Sequence, residues 1–450
     1  MWTTCFQYVE TEIHNFYEVH IVDKESRIPR IFERSFSIVL KRILKVLHKF
    51  TRSTTDTTEN NLFYYIFLLI LQQRSYQHMK LTFQKDDLLN GINIVLKAVP
   101  SKTTMPILQC ILIDAMDNQI KLTANDMELG IETKVEGTIL SKGKIALEAK
   151  ILSEIIRKLS GRESSIIIES DEKYTTTITC DNSVFQIQGK NGEEFSYLPF
   201  IEKDHYICLS QFSLKEVIRQ TLFSISSNDS NKMMTGELFQ VTGNELKVVS
   251  LDGHRMSIRK VTLKDHYNDI KVIVPGKTLG EVSKILEGDN EKDVLIFFSK
   301  NHILFEFEDT VVISRLIEGE YFRIEQMLSS DYETKVTVNK KEFLDCIDQA
   351  SILIRENDKK PIILNITDDS MELKMNSSFG SMNANVTLSK TGKDIMIGFN
   401  PKFLMDALRI LDDEEIDLYM MNPKSPCFIK DIDENYIYLI LPVNFNAASV

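Results

Sequence analysis

From residue 79 onward, apolar and polar positions mostly alternate. The alternation breaks at regular intervals into stretches where apolar residues recur every three or four positions. The first pattern predicts half-buried strands, the second amphipathic helices. Three segments read as a strand running into a helix: KIALEAKILSEIIRKL (144–159), KVIVPGKTLGEVSKIL (271–286) and IMIGFNPKFLMDALRIL (395–411). Lys150, Lys277 and Lys402 fall in register, 127 and 125 residues apart, and Leu159, Leu286 and Leu411 keep that spacing. A second set, MKLTFQKDDLLNGINIVL (79–96), YICLSQFSLKEVIRQTLF (206–223) and TKVTVNKKEFLDCIDQAS (334–351), also reads as strand then helix. There Leu88, Leu214 and Phe343 match, as do Ile92, Ile218 and Ile347. Between them lie DNQIKLTAND (117–126), GNELKVVSLD (243–252) and DSMELKMNSS (369–378), each a turn followed by an alternating strand.

A period of about 126 residues is a whole domain rather than a solenoid unit. The pattern therefore predicts an α+β chain of three similar domains in tandem, each with two helices packed on antiparallel sheet. The boundaries fall at 79–200, 201–325 and 326–450, after an extension over 1–78. The extension lacks the repeat, carries the only tryptophan (Trp2) and includes the polar stretch RSTTDTTENN (52–61). It reads either as a genuine extra segment or as translated upstream sequence. The second reading is favoured because the first repeat opens at Met79 (MKLTF). The apolar run LFYYIFLLIL (62–71) is ten residues long. That is too short to span a bilayer and too deep for a signal peptide, so it reads as a core or interfacial segment.

Composition narrows the function. The 450 residues are 43% hydrophobic and 26% charged, with a formal net charge of −12. An acidic chain excludes a protein that coats nucleic acid with a basic exterior, yet leaves room for a small basic surface on an acidic body. Six cysteines (5, 110, 180, 208, 346 and 427) form no CxxC pair, which points to reduced thiols, a cytoplasmic setting and no zinc site. No nucleotide-loop, hydrolase-elbow or HExxH motif is present, and the eight histidines do not cluster, so neither a cofactor nor a metal is expected. Asp252 and His254 read as a structural turn rather than a catalytic pair. The acidic run DDEEIDLY (412–419) reads as a solvated turn.

The repeated cations do carry a reading. Lys150 and Arg157 stand seven residues apart, about two helical turns, and so share a face. Lys277 with Lys284, and Lys402 with Arg409, repeat the pair. Each fits a solvated helix surface. Three in register also fit a lining that meets phosphates, which carry no base information and so give binding without sequence preference. Lys102, in the loop KAVPSKTTMPIL (97–108), is a further candidate on equal terms with an ordinary loop lysine.

The run VVSLDGHRMSIRK (248–260) resembles the signature of the bacterial DNA sliding clamps, the beta subunits of DNA polymerase III, around an Asp-Gly-His-Arg turn. The ending YIYLILPVNF (436–445), KTTMPIL (102–108) and GFNPKFLMDAL (398–408) fit the same family in the same order. The resemblance covers 79–445. It implies that each subunit forms half of a closed ring, a head-to-tail homodimer with helices lining the hole and sheets outside. It implies no catalytic site but a processivity role: the ring encircles double-stranded DNA and tethers the replicative polymerase catalytic subunit. A clamp loader complex would open the ring, other clamp-binding repair proteins would share it, and no membrane is involved.

The resemblance also implies a pocket for a partner peptide between the second and third domains. By position it comprises Met234, Leu251, Gly253, His254, Arg255 and Met256, then Phe322, Gln326 and Met327. Asn400, Phe403, Leu439, Ile440, Leu441, Pro442, Val443, Asn444 and Phe445 complete it. Leu251 replaces a common Thr, Phe322 a common Pro and Asn444 a usual Arg, and five residues (446–450) extend past the usual end; these bear on fine specificity. The subunit contact implied by the family sets Phe185 and Ile187 against Ile352 and Leu353 of the next subunit. The alternation at 185 and 187 also fits burial in their own domain.

Overall fold

The computed structural model describes residues 78–159, 165–228, 230–328, 331–354, 360–431 and 434–445. The extension up to residue 77, its apolar run at 62–71 and the tail at 446–450 lie outside them. Three repeats follow one another, each with two α-helices: α1 (Lys85–Val95) and α2 (Ala149–Lys158), α3 (Gln211–Thr221) and α4 (Gly276–Ile285), α5 (Lys340–Ser351) and α6 (Pro401–Ile410). Each pair packs together and against antiparallel strands.

The helices form where the pattern places them because one face of each is apolar and buried. Leu88, Ile92 and Val95 of α1 and Leu152 and Ile156 of α2 enter the core, as do Leu214 and Ile218 of α3 and Leu404 and Leu408 of α6. Each such side chain contributes about 1.5–3 kcal/mol of transfer free energy. Local signals fix the starts. Glu148 accepts from the amides of Lys150 and Ile151, Ser210 from Ser213, Asn339 from Glu342, and Asn400 from Lys402.

A repeated lysine closes the other end. Lys85, Lys215 and Lys340 each donate from Nζ to the carbonyl of the C-terminal leucine of the second helix in their own repeat, Leu159, Leu286 and Leu411; the latter two bonds are 2.8 and 2.6 Å. The ammonium meets the negative end of the helix dipole and a carbonyl that lacks an intrahelical partner. Lys215 lies one turn beyond the register of the other two. Gln211 stands in that register and accepts the amide of Glu287 instead.

Strand pairing welds the repeats edge to edge. Leu129–Val135 of the first pairs antiparallel with Thr310–Arg315 of the second, with Thr133 and Thr310 sharing a buried 2.9 Å hydrogen bond. In the same way the start of Arg255–Pro275 pairs with Tyr436–Ile440 of the third. One nine-stranded sheet therefore crosses the first boundary and one ten-stranded sheet the second. At the places equivalent to these pairings, Ser183–Gln188 in the first repeat and the outer side of 380–387 in the third have no partner strand among the described residues.

The described cysteines are free thiols, and burial pushes that of Cys427 up to about 12. Among the described residues, no helix is long and apolar enough to cross a membrane.

Candidate functional site

Two surfaces gather the residues singled out by sequence. The first is the exposed face of the second helices. Lys150 and Arg157 on α2, Lys277 and Lys284 on α4, and Lys402 and Arg409 on α6 are all exposed, and Lys102 is exposed in its loop. Their positions follow from helix spacing, since the intervening apolar residues face the core. Several are engaged. Arg157 donates to Ser153 at 3.1 Å, Lys284 meets Glu281 at 2.9 Å and Arg409 meets Asp348 at 3.2 Å. Lys277 reaches Asp126 of the preceding repeat. Among the described residues, Lys150 and Lys402 make no ion pair.

The second surface is the junction of repeats two and three. Gly253, at φ +89°, lets the chain reverse between Gly236–Leu251 and Arg255–Pro275. Asp252 holds the turn, its Oδ1 accepting from the amides of His254 and Arg255 at 2.9 and 3.1 Å. The Arg255 guanidinium is buried and donates from each of its nitrogens: Nε to Asp252 at 3.0 Å, Nη1 to Asp406 of α6 at 2.7 Å and Nη2 to the Phe223 carbonyl at 2.6 Å. It also lies 4.3 Å from the centre of the Phe403 ring, on which exposed His254 stacks at 6.2 Å. Asp252 thus closes the turn, and His254 packs on Phe403 beside it.

Beside the turn an apolar cluster spans the boundary. Leu251, Met256 and Leu439 form its buried floor, with Met234 and Phe322 half-buried at its margin. Gln326 and Met327 lie exposed on the connection into the third repeat. Ile440, one position past Leu439, points the other way into the third repeat's own core, as strand alternation requires. The chain then leaves the sheet: Leu441 donates its amide to the His254 carbonyl at 2.8 Å and Val443 to Gly398 at 2.8 Å. Leu441 and Asn444 are exposed, Pro442, Val443 and Phe445 half-buried, and Asn400 and Phe403 half-buried beside them.

Sequence reasoning missed Asp406, Phe223 and Tyr438. Asp406 lies three positions after Phe403, on the same helix face, which was the available signal. Tyr438 donates to the Phe403 carbonyl at 2.9 Å from the third repeat's strand. Phe185, on the strand Ser183–Gln188, is 38% exposed and Ile352, just past α5, 79%, while Ile187 and Leu353 pack partly on the cores of their own repeats.

Comparison with known proteins points to one family. The family models for the N-terminal, central and C-terminal domains of the DNA polymerase III beta subunit match residues 79–199, 208–322 and 325–444. The beta sliding clamp of Staphylococcus aureus is 34% identical over 376 residues, covering 81% of this chain and 99% of the relative. A solved chain from Eubacterium rectale, described as a DNA polymerase III beta subunit, is 62% identical with a TM-score of 0.79, covering 82% of this chain and all of that one. The DNA polymerase sliding clamp of Bacillus subtilis is 35% identical with the same TM-score and the same coverage. The chain belongs to the DNA polymerase III beta subunit family, the bacterial sliding clamps, which are accessory processivity subunits of replication and not catalysts.

Proposed function

We propose that two copies of this chain close head to tail into a ring around double-stranded DNA, and that the junction of repeats two and three holds the replicative polymerase catalytic subunit there. The observation behind the ring is the pairing rule. Twice within the chain, the strand that follows an aspartate-headed turn (Asp126 in the first repeat, Asp252 in the second) joins the last strand of the next repeat. Ser183–Gln188 of one copy and 380–387 of another supply the same two partners, with Phe185 and Ile187 beside Ile352 and Leu353. Such a contact is heterologous and closes only when the rotation per repeat completes a circle.

The exposed cations of α2, α4 and α6, with Lys102, then face the phosphates. Their contacts are independent of base sequence and weak enough to slide. Residence comes from topology, since a closed ring leaves DNA only by opening or by running off an end. Opening requires a separate clamp loader. The junction's Met234, Leu251, Met256, Leu439 and Leu441 offer an adaptable apolar surface to a short hydrophobic peptide of the polymerase and, in turn, of repair proteins. The setting is the cytoplasm.

Retention on circular DNA tests this reading. Protein loaded on a nicked circle and freed of unbound protein should stay with the DNA through gel filtration, and leave after a restriction enzyme linearises the circle. Equal retention on circular and linear DNA would overturn it.

A further inference from the structure

Repeat two carries a buried layer of polar side chains directly behind the pocket floor. Ser250 and Ser257 are opposite one another on the paired strands, next to Leu251 and Met256 but facing the other way. Ser250 donates to the Thr221 carbonyl at 2.6 Å, and Ser257 shares a 2.6 Å hydrogen bond with Ser224. Between those two positions, the Phe223 carbonyl accepts from Arg255. The Thr221 hydroxyl lies 3.0 Å from Oε2 of Glu237, which is fully buried; among the described residues the other Glu237 oxygen has no hydrogen-bond partner.

The sister repeats provide the comparison. Strand register sets Glu237 opposite Val274, Ile111 opposite Leu147 and Ile362 opposite Phe399, three equivalent places. Ser250 and Ser257 correspond to the pair Ala124 and Ile131, and to the pair Met375 and Met382. Helix register matches Thr221 with Val95 and Ala350, and Ser224 with Ala98 and Leu353. At all five places the first and third repeats are apolar, and the second is polar and buried. The fold therefore does not need polarity there. Burying polar groups in place of hydrocarbon costs stability, while directional bonds fix geometry that apolar packing leaves adjustable.

We infer that this layer is the positioning framework of the partner pocket: it locks the hairpin of Leu251 and Met256 to the end of α3, and so aims the Asp252–Arg255 turn at the incoming peptide. The inference rests on the pocket reading above. The layer occurs in the repeat whose hairpin forms the floor, its bonds end on residues 221–224, and Arg255 joins both. A supporting shell of this kind keeps a binding surface pre-organised.

The test grafts the first repeat's residues into the full-length protein: Thr221→Val, Ser224→Ala, Glu237→Ile, Ser250→Ala and Ser257→Ile. Binding to the immobilised polymerase catalytic subunit of the same organism is measured beside thermal melting and retention on nicked circles. The graft should melt at or above the wild-type temperature and keep its retention, while binding the polymerase about tenfold more weakly. Higher stability with lower affinity separates positioning from bulk support. Glu237→Gln, which keeps the bond to Thr221, should retain wild-type affinity. Should the graft fail to fold, Ser250→Ala alone carries the test and should weaken binding in a folded protein. Wild-type affinity in a folded graft, or in Ser250→Ala when the graft does not fold, overturns the inference. Wild-type protein that does not bind the polymerase overturns the pocket reading itself.

Discussion

Lys277 of α4 reaches back across the first repeat boundary to Asp126, Nζ to Oδ2 at 2.5 Å. Asp126 heads the turn equivalent to that of Asp252, accepting from the amides of Glu128 and Leu129, and Met127 matches Gly253 in adopting positive φ. Both turn aspartates are therefore tied to the second helix of the next repeat, one through Lys277 and the other through Arg255 to Asp406. The Lys277 side chain is 64% exposed, so its ion pair contributes less than about 1 kcal/mol. A phosphate can replace the carboxylate at little cost. Lys277→Ala should leave the melting curve nearly unchanged and shorten retention on nicked circles. Lys150→Glu with Arg157→Glu should shorten it further, because each change replaces attraction with repulsion. Unaltered retention at several salt concentrations would remove these residues from the DNA contact.

Ile352 follows α5 and is 79% exposed. A charge there meets water in the single subunit, so Ile352→Asp should change subunit stability by no more than about 0.5 kcal/mol. At a subunit boundary it faces Phe185 and costs far more. Sedimentation velocity should show a monomer for Ile352→Asp where wild type is a dimer. A variant that sediments as a dimer at sub-micromolar concentration would move the boundary elsewhere.

Burial pushes the Glu237 carboxyl from its ordinary 4.5 up to about 8, with the Thr221 hydroxyl opposing the shift. The native state holds this proton when the unfolded chain has lost it. The associated stability is fully present below pH 4.5 and is lost as pH rises through about 8. The loss is on the order of 1 kcal/mol per pH unit across that window. Urea denaturation from pH 5 to 8.5 at fixed protein concentration should show wild type weakening relative to Glu237→Gln as pH rises. Parallel profiles would mean that Glu237 is ionised, or reached by water, in the native state.

Much of this architecture was legible in the chain. Lys150, Lys277 and Lys402 gave the period, and the apolar residues around them gave the helices, because helix faces are written locally. The Asp252–Arg255 turn was legible as a motif. Its partners were less so. Asp406 and Phe223 are brought to Arg255 by a strand pairing across the repeat boundary, which no local pattern encodes. The lysine bonds at the helix ends escaped notice because Lys215 lies a turn away from the register of Lys85 and Lys340. Glu237 escaped for another reason: one acidic residue in an alternating strand reads as solvent-facing, and only the structure puts it inside.

The chain beyond Ile440 offers the sharpest test of the pocket. Leu441 is held by the His254 carbonyl and Val443 by Gly398, and Phe445 lies over Gly398. A Cβ at residue 398 would come within 2.8 Å of the Phe445 ring and 3.0 Å of the Val443 carbonyl, so the absence of a side chain there lets the segment lie close. The two backbone bonds contribute about 1–3 kcal/mol together, too little to decide folding. Removing residues 441–450 should therefore leave the subunit folded and dimeric, since Ser183–Gln188 and 380–387 lie elsewhere, while abolishing polymerase binding. Gly398→Ala should give an intermediate loss by displacing the segment without deleting it. Sedimentation and surface plasmon resonance on the same preparations separate the outcomes. Full polymerase affinity after the deletion would place the partner's peptide on another surface.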